Sequence, residues 1–386
     1  MERIMTTKTT SPPVKAIGLE NVIALESEIC FIDGQKGILI YRGYAIQDLA
    51  QHTSFEEVAH LLWYGKLPKR QELDTLVERL RAERQLPEEV IDILRNTPAG
   101  VHPMAALRTA VSALAHHDKE ADDNSKEANY RKAIRLTAKL PGLVAMFDRL
   151  RKGKPVVYPR GEGSTAREFL YMLNGEEPGE MAERTLDIAL ILHAEHGLNA
   201  STFTGRVIAS TLSDMYSAVT GAMGALKGPL HGGANMEVMR TLLEIDQKGL
   251  DPAEYVRQKL ARKERVMGFG HRVYKTFDPR AAILRDMLKK LSEEKGEMKW
   301  YEYQEKMMEV MEKEKGLYPN VDFFSAPVYY LLGIDIDLYT PIFAMARMTG
   351  WTAHVMEQYK HNRLIRPRAE YVGPRGLKVE PLERRK

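Results

Sequence analysis

Strand-forming sequence is confined to one short stretch near the start of the chain, and nearly everything after it carries helical spacing. Val22-Ile-Ala-Leu25, Glu28–Ile32 and Gly37–Tyr41 are short β-prone runs, and Asp33-Gly34 is a turn pair between the last two. A small sheet or hairpin is predicted over residues 21–44. From Ser54 onward the apolar residues recur at helical intervals. Ser54 reads as an N-cap, with Glu57 completing a capping box, and that helix ends by Gly65 and Pro68. Further helices are expected over 71–84, 87–95, from His102-Pro103, and over 128–151 with an interruption at Pro141-Gly142. A loop rich in glycine, proline and charge spans 152–164. Leu186, Ala189, Leu190 and His193 form one helical stripe, which Gly197 is expected to close. Helices follow over 201–210, 213–227, 234–246, 252–263, 280–295 and 299–315. Pro319–Ser325 interrupts them, a long helix covers 341–363, and the tail from Leu364 is extended. The expected fold class is all-α with a small N-terminal β-hairpin or sheet.

A chain of 386 residues is long enough for more than one core, so two domains are expected. Its net charge of +3, with basic and acidic residues interspersed, excludes the strong basic face of a nucleic-acid binder. Cys30 is the only cysteine, so no disulfide can form within the chain. No run of about eighteen apolar residues occurs, so no membrane span is expected. Residues 1–15 are polar, lack a signal-peptide core and are expected to be disordered. A soluble cytoplasmic protein is the resulting expectation. Ala218, Gly221, Ala222, Gly224 and Ala225 give one helix a surface of small residues, suited to close helix–helix or subunit contact.

Chemistry concentrates in three stretches. In Gly268-Phe-Gly-His-Arg-Val-Tyr-Lys-Thr-Phe-Asp-Pro-Arg280, glycines lead into His271, and Lys275 and Arg280 supply cations for an anionic ligand. This segment reads as an anion site containing a proton-handling group. His231, in Gly228-Pro-Leu-His-Gly-Gly-Ala-Asn235, stands before a helix start, where the dipole disfavours imidazolium. A neutral imidazole there can donate a hydrogen bond to a carbonyl becoming an enolate. Asp322 lies between Val321 and Phe323-Phe324, so burial is expected to keep it basic; a helix-capping aspartate is the competing reading. Together these groups fit proton abstraction beside a carbonyl, followed by attack on another carbonyl. His193-Ala-Glu-His196 lacks the His-Glu-x-x-His pattern and a third ligand, so no metal is expected. His196, at a helix C-terminus, is expected to favour its charged form.

Pro-Leu-His231-Gly-Gly-Ala-Asn, Gly-Phe-Gly-His271-x-Val-Tyr-Lys-x-x-Asp-Pro-Arg280 and Pro-Asn-Val-Asp322 resemble the citrate synthase family. His-Ala-Glu-His196-Gly-Leu-Asn-Ala-Ser, Ala-Arg347 and Leu-Ile-Arg366-Pro resemble further elements of it, in the same order, from about Leu25 to Arg366. The resemblance implies a large helical domain, 1–232 and 333–386, with a smaller helical domain, 233–332, inserted in it. It also implies catalytic roles for three residues. Asp322 would take a proton from the acetyl methyl of acetyl-CoA, His231 would steady the enol or enolate, and His271 would polarise the oxaloacetate ketone. His196, Arg280 and Arg347 would hold oxaloacetate, and Arg366 would be donated by the partner of a homodimer. Lys275 and Arg272 would contact CoA. The implied products are citrate and CoA, with no cofactor beyond the CoA thioester substrate, in the shorter dimeric type. A 2-methylcitrate synthase using propionyl-CoA is the alternative, since a methylene is worth only about 1–3 kcal/mol in an apolar pocket. A helical protein that binds CoA or a dicarboxylate without catalysis would require loss of His231, His271 or Asp322, and all three are present.

Overall fold

The computed structural model describes residues 17–19 and 22–385, so the polar start at residues 1–15 lies outside the described residues. Among the described residues the chain forms sixteen α-helices and one three-stranded antiparallel sheet. The strands are β1 (Cys30–Asp33), β2 (Ile38–Tyr41) and β3 (Tyr44–Ala45), paired in that order, with Cys30 opposite Tyr41 and Asp33 opposite Ile38. The strand expected at Val22–Leu25 does not form. That segment pairs with no strand, and Ile23 is 90% exposed. Between β1 and β2 the chain reverses around Asp33, whose Oδ1 accepts the N–H groups of Gln35 and Lys36 at 3.0 and 3.1 Å. Leu39 and Tyr41 alternate inward and are buried. The Tyr41 hydroxyl donates to the Glu195 carbonyl at 2.6 Å and so fastens the hairpin to the chain just after helix Glu180–His193.

Helix Phe55–Tyr64 starts with the expected capping box. The Ser54 hydroxyl accepts from Glu57 N–H, the Glu57 carboxylate accepts from Ser54 N–H, and Gly65 closes the helix at φ 78°. Helix Lys126–Arg151, by contrast, runs straight through Pro141-Gly142 without the expected interruption. Proline removes one rung of the hydrogen-bond ladder, but both residues are buried, and a Cβ on Gly142 would reach Leu86 at 3.6 Å. Burial on both sides of the proline outweighs the lost rung. Helix Glu180–His193 ends before Gly197, which instead forms the left-handed turn (φ 60°) leading to helix Ala200–Ala209. The small-residue face of helix Met215–Leu226 packs within the chain. A Cβ on Gly221 would meet Ile208 Cδ1 at 2.2 Å, and one on Gly205 would meet the Ala218 carbonyl at 3.4 Å.

Helix Tyr339–Lys360 is the axis of the larger helical group, buried along nearly its whole length. It packs against helices Phe55–Tyr64, Lys126–Arg151, Glu180–His193, Ala200–Ala209 and Met215–Leu226. A second group, Ala234–Lys248, Pro252–Ala261, Pro279–Lys295, Lys299–Lys315 and Val321–Leu331, packs mainly on itself. Helices Pro279–Lys295 and Val321–Leu331 join it to helix Glu180–His193. The break expected over Pro319–Ser325 is shorter than predicted, because Asn320 caps a helix that starts at Val321: its side chain accepts Asp322 N–H at 3.0 Å. Among the described residues no helix is long and apolar enough to cross a membrane.

Candidate active site

The segment carrying His271 is held against the segment carrying Asp322. Asn320 N–H donates to Gly268 O at 2.9 Å, Gly270 N–H to Tyr318 O at 3.0 Å, and the Asn320 amide to Gly270 O at 2.9 Å. This close approach requires glycine at 268, where φ is 87° and a Cβ would meet the Phe323 ring at 2.7 Å. On the far side of the segment, Asp278 caps helix Pro279–Lys295 and grips Arg280, with bonds of 3.0 Å to Nε and 2.8 Å to Nη2. Its second oxygen also accepts Val321 N–H at 3.2 Å. Asp278 therefore joins Arg280 to the start of the helix that bears Asp322. Both members of the pair are buried. Burial resists ionisation of Asp278, but Arg280 beside it prevails and holds the carboxyl below its usual range.

Tautomers follow from the backbone. His271 Nδ1 accepts the N–H groups of Val273 and Tyr274 at 3.0 and 3.2 Å, so Nε2 carries the proton. His231 Nε2 accepts Ser201 N–H at 3.3 Å and lies 2.8 Å from the Ser201 hydroxyl, so its proton sits on Nδ1. Trp351 Nε1–H donates to that hydroxyl at 3.1 Å and fixes it from the axial helix. Burial, reinforced by Arg280, lowers the His271 pKa to about 4. Burial and Arg347 lower that of His231 to about 4. Each is therefore a neutral imidazole with one N–H to offer.

His196 lies with its ring 5.3 Å from that of His271, and its Nε2 is 3.2 Å from the Tyr274 hydroxyl. The expectation of a charged His196 is corrected here. Burial, then Arg280, His271 and Arg347, push its pKa well below the ordinary value, and the helix end cannot compete with two buried guanidinium groups. Arg347 is buried, donates from Nε to His193 O at 2.8 Å, and lies over the Phe343 ring. Its Nη2 is buried with no hydrogen-bond partner among the described residues. An unsatisfied buried donor of this kind marks the place of an acceptor. Among the described residues the Asp322 carboxylate makes no hydrogen bond, and burial raises its pKa to about 6 against the opposing pull of Arg280. Asn320, not Asp322, is the helix cap.

His196, His231, His271, Arg280, Asp322 and Arg347 thus belong to one neighbourhood drawn from distant parts of the chain. A cleft of about 220 Å³ lined by His271, Tyr274, Lys275, Asp278 and Asn320 opens onto it. Lys275 lines the cleft and Arg272 does not; both are exposed, and Lys275 Nζ donates to Arg272 O at 3.0 Å. Arg366 is exposed on the tail, outside any helix or strand. A second cavity of about 220 Å³, lined by Glu83, Asp118, Arg135 and Lys139, has its charges paired with one another. Among the described residues no group of three or more His, Cys, Asp or Glu side chains could hold a metal ion. Sequence reading assigned no role to Asp278, Ser201, Tyr274 or Asn320. Asp278-Pro-Arg280 carried a usable signal, since aspartate before proline is a helix N-cap. The Ser201–His231 pairing joins segments 30 positions apart and carried none.

A helical protein with a neutral-histidine pair, a basic carboxylate and buried arginines has the makings of a carbon–carbon bond-forming acyltransferase. The chain matches the family model "Citrate synthase, C-terminal domain" over residues 18–368. It is 53% identical to the citrate synthase of Haloferax volcanii over 372 residues, covering 95% of this chain and 98% of that one. It is 46% identical to the citrate/2-methylcitrate synthase of Bacillus subtilis, covering 93% and 96%. The crystal structure of citrate synthase from Pyrobaculum aerophilum superposes with a TM-score of 0.91 at 40% identity, covering all of both chains. The ternary complex of Thermoplasma acidophilum citrate synthase with carboxymethyl coenzyme A and oxaloacetate gives a TM-score of 0.89 at 38% identity, covering 96% of this chain and 99% of that one. The chain belongs to the citrate synthase family, whose members are acyltransferases.

Proposed function

We infer that the protein condenses acetyl-CoA with oxaloacetate and hydrolyses the resulting citryl-CoA to citrate and CoA. The observation that carries this reading is Asp322: a carboxylate with a pKa raised to about 6, under the influence of buried Arg280, at the start of a helix hydrogen-bonded to the segment that carries neutral His271. Asp322 takes a proton from the acetyl methyl, and its raised pKa makes it a stronger base than an ordinary aspartate. His231 donates Nδ1–H to the thioester oxygen as the enolate forms. The enolate carbon attacks the oxaloacetate ketone, whose oxygen accepts His271 Nε2–H. Both bonds strengthen as negative charge develops, which lowers the barrier. Water then cleaves the thioester. His196, Arg280 and Arg347 hold the oxaloacetate carboxylates and carbonyl, and the unpartnered Arg347 Nη2 supports this assignment. Lys275, which lines the cleft, and exposed Arg272, whose carbonyl it contacts, are assigned to CoA. No step calls for a cofactor.

The same reading divides the chain into a large domain, 1–232 and 333–386, and a small one, 233–332, in a homodimer in which each subunit's Arg366 serves its partner's site. Exposed placement of Arg366 on an extended tail fits that role. Oxaloacetate binding closes the small domain over the cleft and keeps water out until condensation is complete. Unchanged small-angle scattering and unchanged acetyl-CoA affinity on adding oxaloacetate would sink the closure. The kinship with a citrate/2-methylcitrate synthase keeps propionyl-CoA as the second reading. Oxaloacetate-dependent thiol release decides between them. A higher kcat/KM with acetyl-CoA supports citrate synthesis, and parity or a propionyl-CoA preference supports the second reading.

A further inference from the structure

The turn between β1 and β2 does more than reverse the chain. Its backbone lies directly on the loop that follows His271. Lys275 N–H donates to Gly34 O at 2.8 Å. A Cβ on Gly34 would meet the Val273 carbonyl oxygen at 2.1 Å and its carbon at 2.7 Å. One on Gly37 would meet the Phe277 carbonyl oxygen at 2.9 Å. Gly34 is not among the residues with positive φ, so room rather than backbone conformation demands glycine there. Backbone atoms cannot swing aside as the tip of a side chain can.

The Val273 carbonyl and the Tyr274 N–H belong to one planar peptide group. Gly34 therefore rests on the same rigid unit that donates to His271 Nδ1 at 3.2 Å. The other face of the hairpin is tied to the His196 segment. Tyr41 donates to Glu195 O at 2.6 Å, and a Cβ on Gly197 would reach Ile32 Cδ1 at 3.4 Å. The hairpin thus spans the two histidine segments.

We propose that Gly34 is a positioning residue for His271: the β1–β2 turn cradles the 273–274 peptide and so sets the direction in which His271 Nε2–H points. This rests on the assignment of His271 to the substrate ketone. A shift of about an ångström in such a group is enough to cost on the order of 10²-fold in rate.

The test uses the full chain with Gly34→Ala, and with Gln35→Ala as a control at the neighbouring exposed position. Gly34→Ala is expected to lower kcat at least tenfold, leave the KM for acetyl-CoA within about twofold, and speed amide exchange over residues 271–277. Gln35→Ala is expected to match the wild type. Asp33→Ala, which loosens the turn without adding atoms, is expected to lower kcat several-fold and covers the case in which Gly34→Ala does not fold. Wild-type kcat in Gly34→Ala, or in Asp33→Ala if the first variant does not fold, overturns the proposal. A wild-type protein that releases no thiol would remove the catalytic reading instead. Amide exchange then still judges the cradle: faster exchange over 271–277 in the variant supports it, and unchanged exchange overturns it.

Discussion

His231 and His271 each keep one nitrogen committed to the backbone and offer the other as a donor. With pKa values lowered to about 4, both remain neutral throughout the physiological range. Asp322 behaves in the opposite sense, because burial raises its pKa to about 6. It must be ionised to accept a proton, so activity is lost as pH falls through that value. The kcat/KM for acetyl-CoA is expected to be flat above pH 7 and to fall with a midpoint near 6; a midpoint near the ordinary carboxylate value of about 4 would contradict the assignment. The shift of Asp322 was legible in the sequence, since its apolar neighbours are adjacent to it. The state of His196 was not. Its helix end is visible locally, but the arginines that suppress its charge arrive from positions 280 and 347.

At the scale of elements, Asn320 joins fold to site. It caps helix Val321–Leu331 through Asp322 N–H and ties that helix to the His271 segment through Gly270 O. Asn320→Ala is expected to cost about 1 kcal/mol from the lost cap, read as a shift in denaturant midpoint. It should also lower kcat by more than that loss of stability explains, because Gly270 loses its tether. Wild-type turnover in the variant would show that the tether is dispensable. The Ser54–Glu57 capping box, the stop at Gly65 and the β1–β2 turn were readable because they are local, whereas the stop expected at Gly197 falls three residues earlier, at Ala194. The passage of helix Lys126–Arg151 through Pro141 was not, since the packing that sustains it comes from elsewhere in the chain. The absent strand at Val22–Leu25 has the same explanation: a β-prone run needs a neighbour, and none is supplied.

The whole molecule adds what neither residues nor elements hold alone. The proposed dimer places Arg366 of one subunit in the site of the other. Asp322→Gly and Arg366→Ala homodimers should each be strongly impaired. Co-refolded mixtures should regain activity, because a mixed dimer contains one site with Asp322 and the partner's Arg366 both intact. No recovery in verified mixed dimers would contradict the sharing of Arg366. Family motifs in the sequence named candidate site residues and implied an inserted helical group, but the contacts that join distant segments, Ser201 to His231 and Asp278 to Val321, are visible only in three dimensions.

The central claim is that Asp322 starts the reaction, and the most direct test pairs two measurements on Asp322→Gly. Oxaloacetate binding is followed by calorimetry, and thiol release from acetyl-CoA by single-turnover kinetics. The account predicts oxaloacetate affinity within a few-fold of the wild type and condensation slowed by about 10²-fold or more, as expected for loss of a general base. Near-wild-type thiol release with oxaloacetate bound would contradict it.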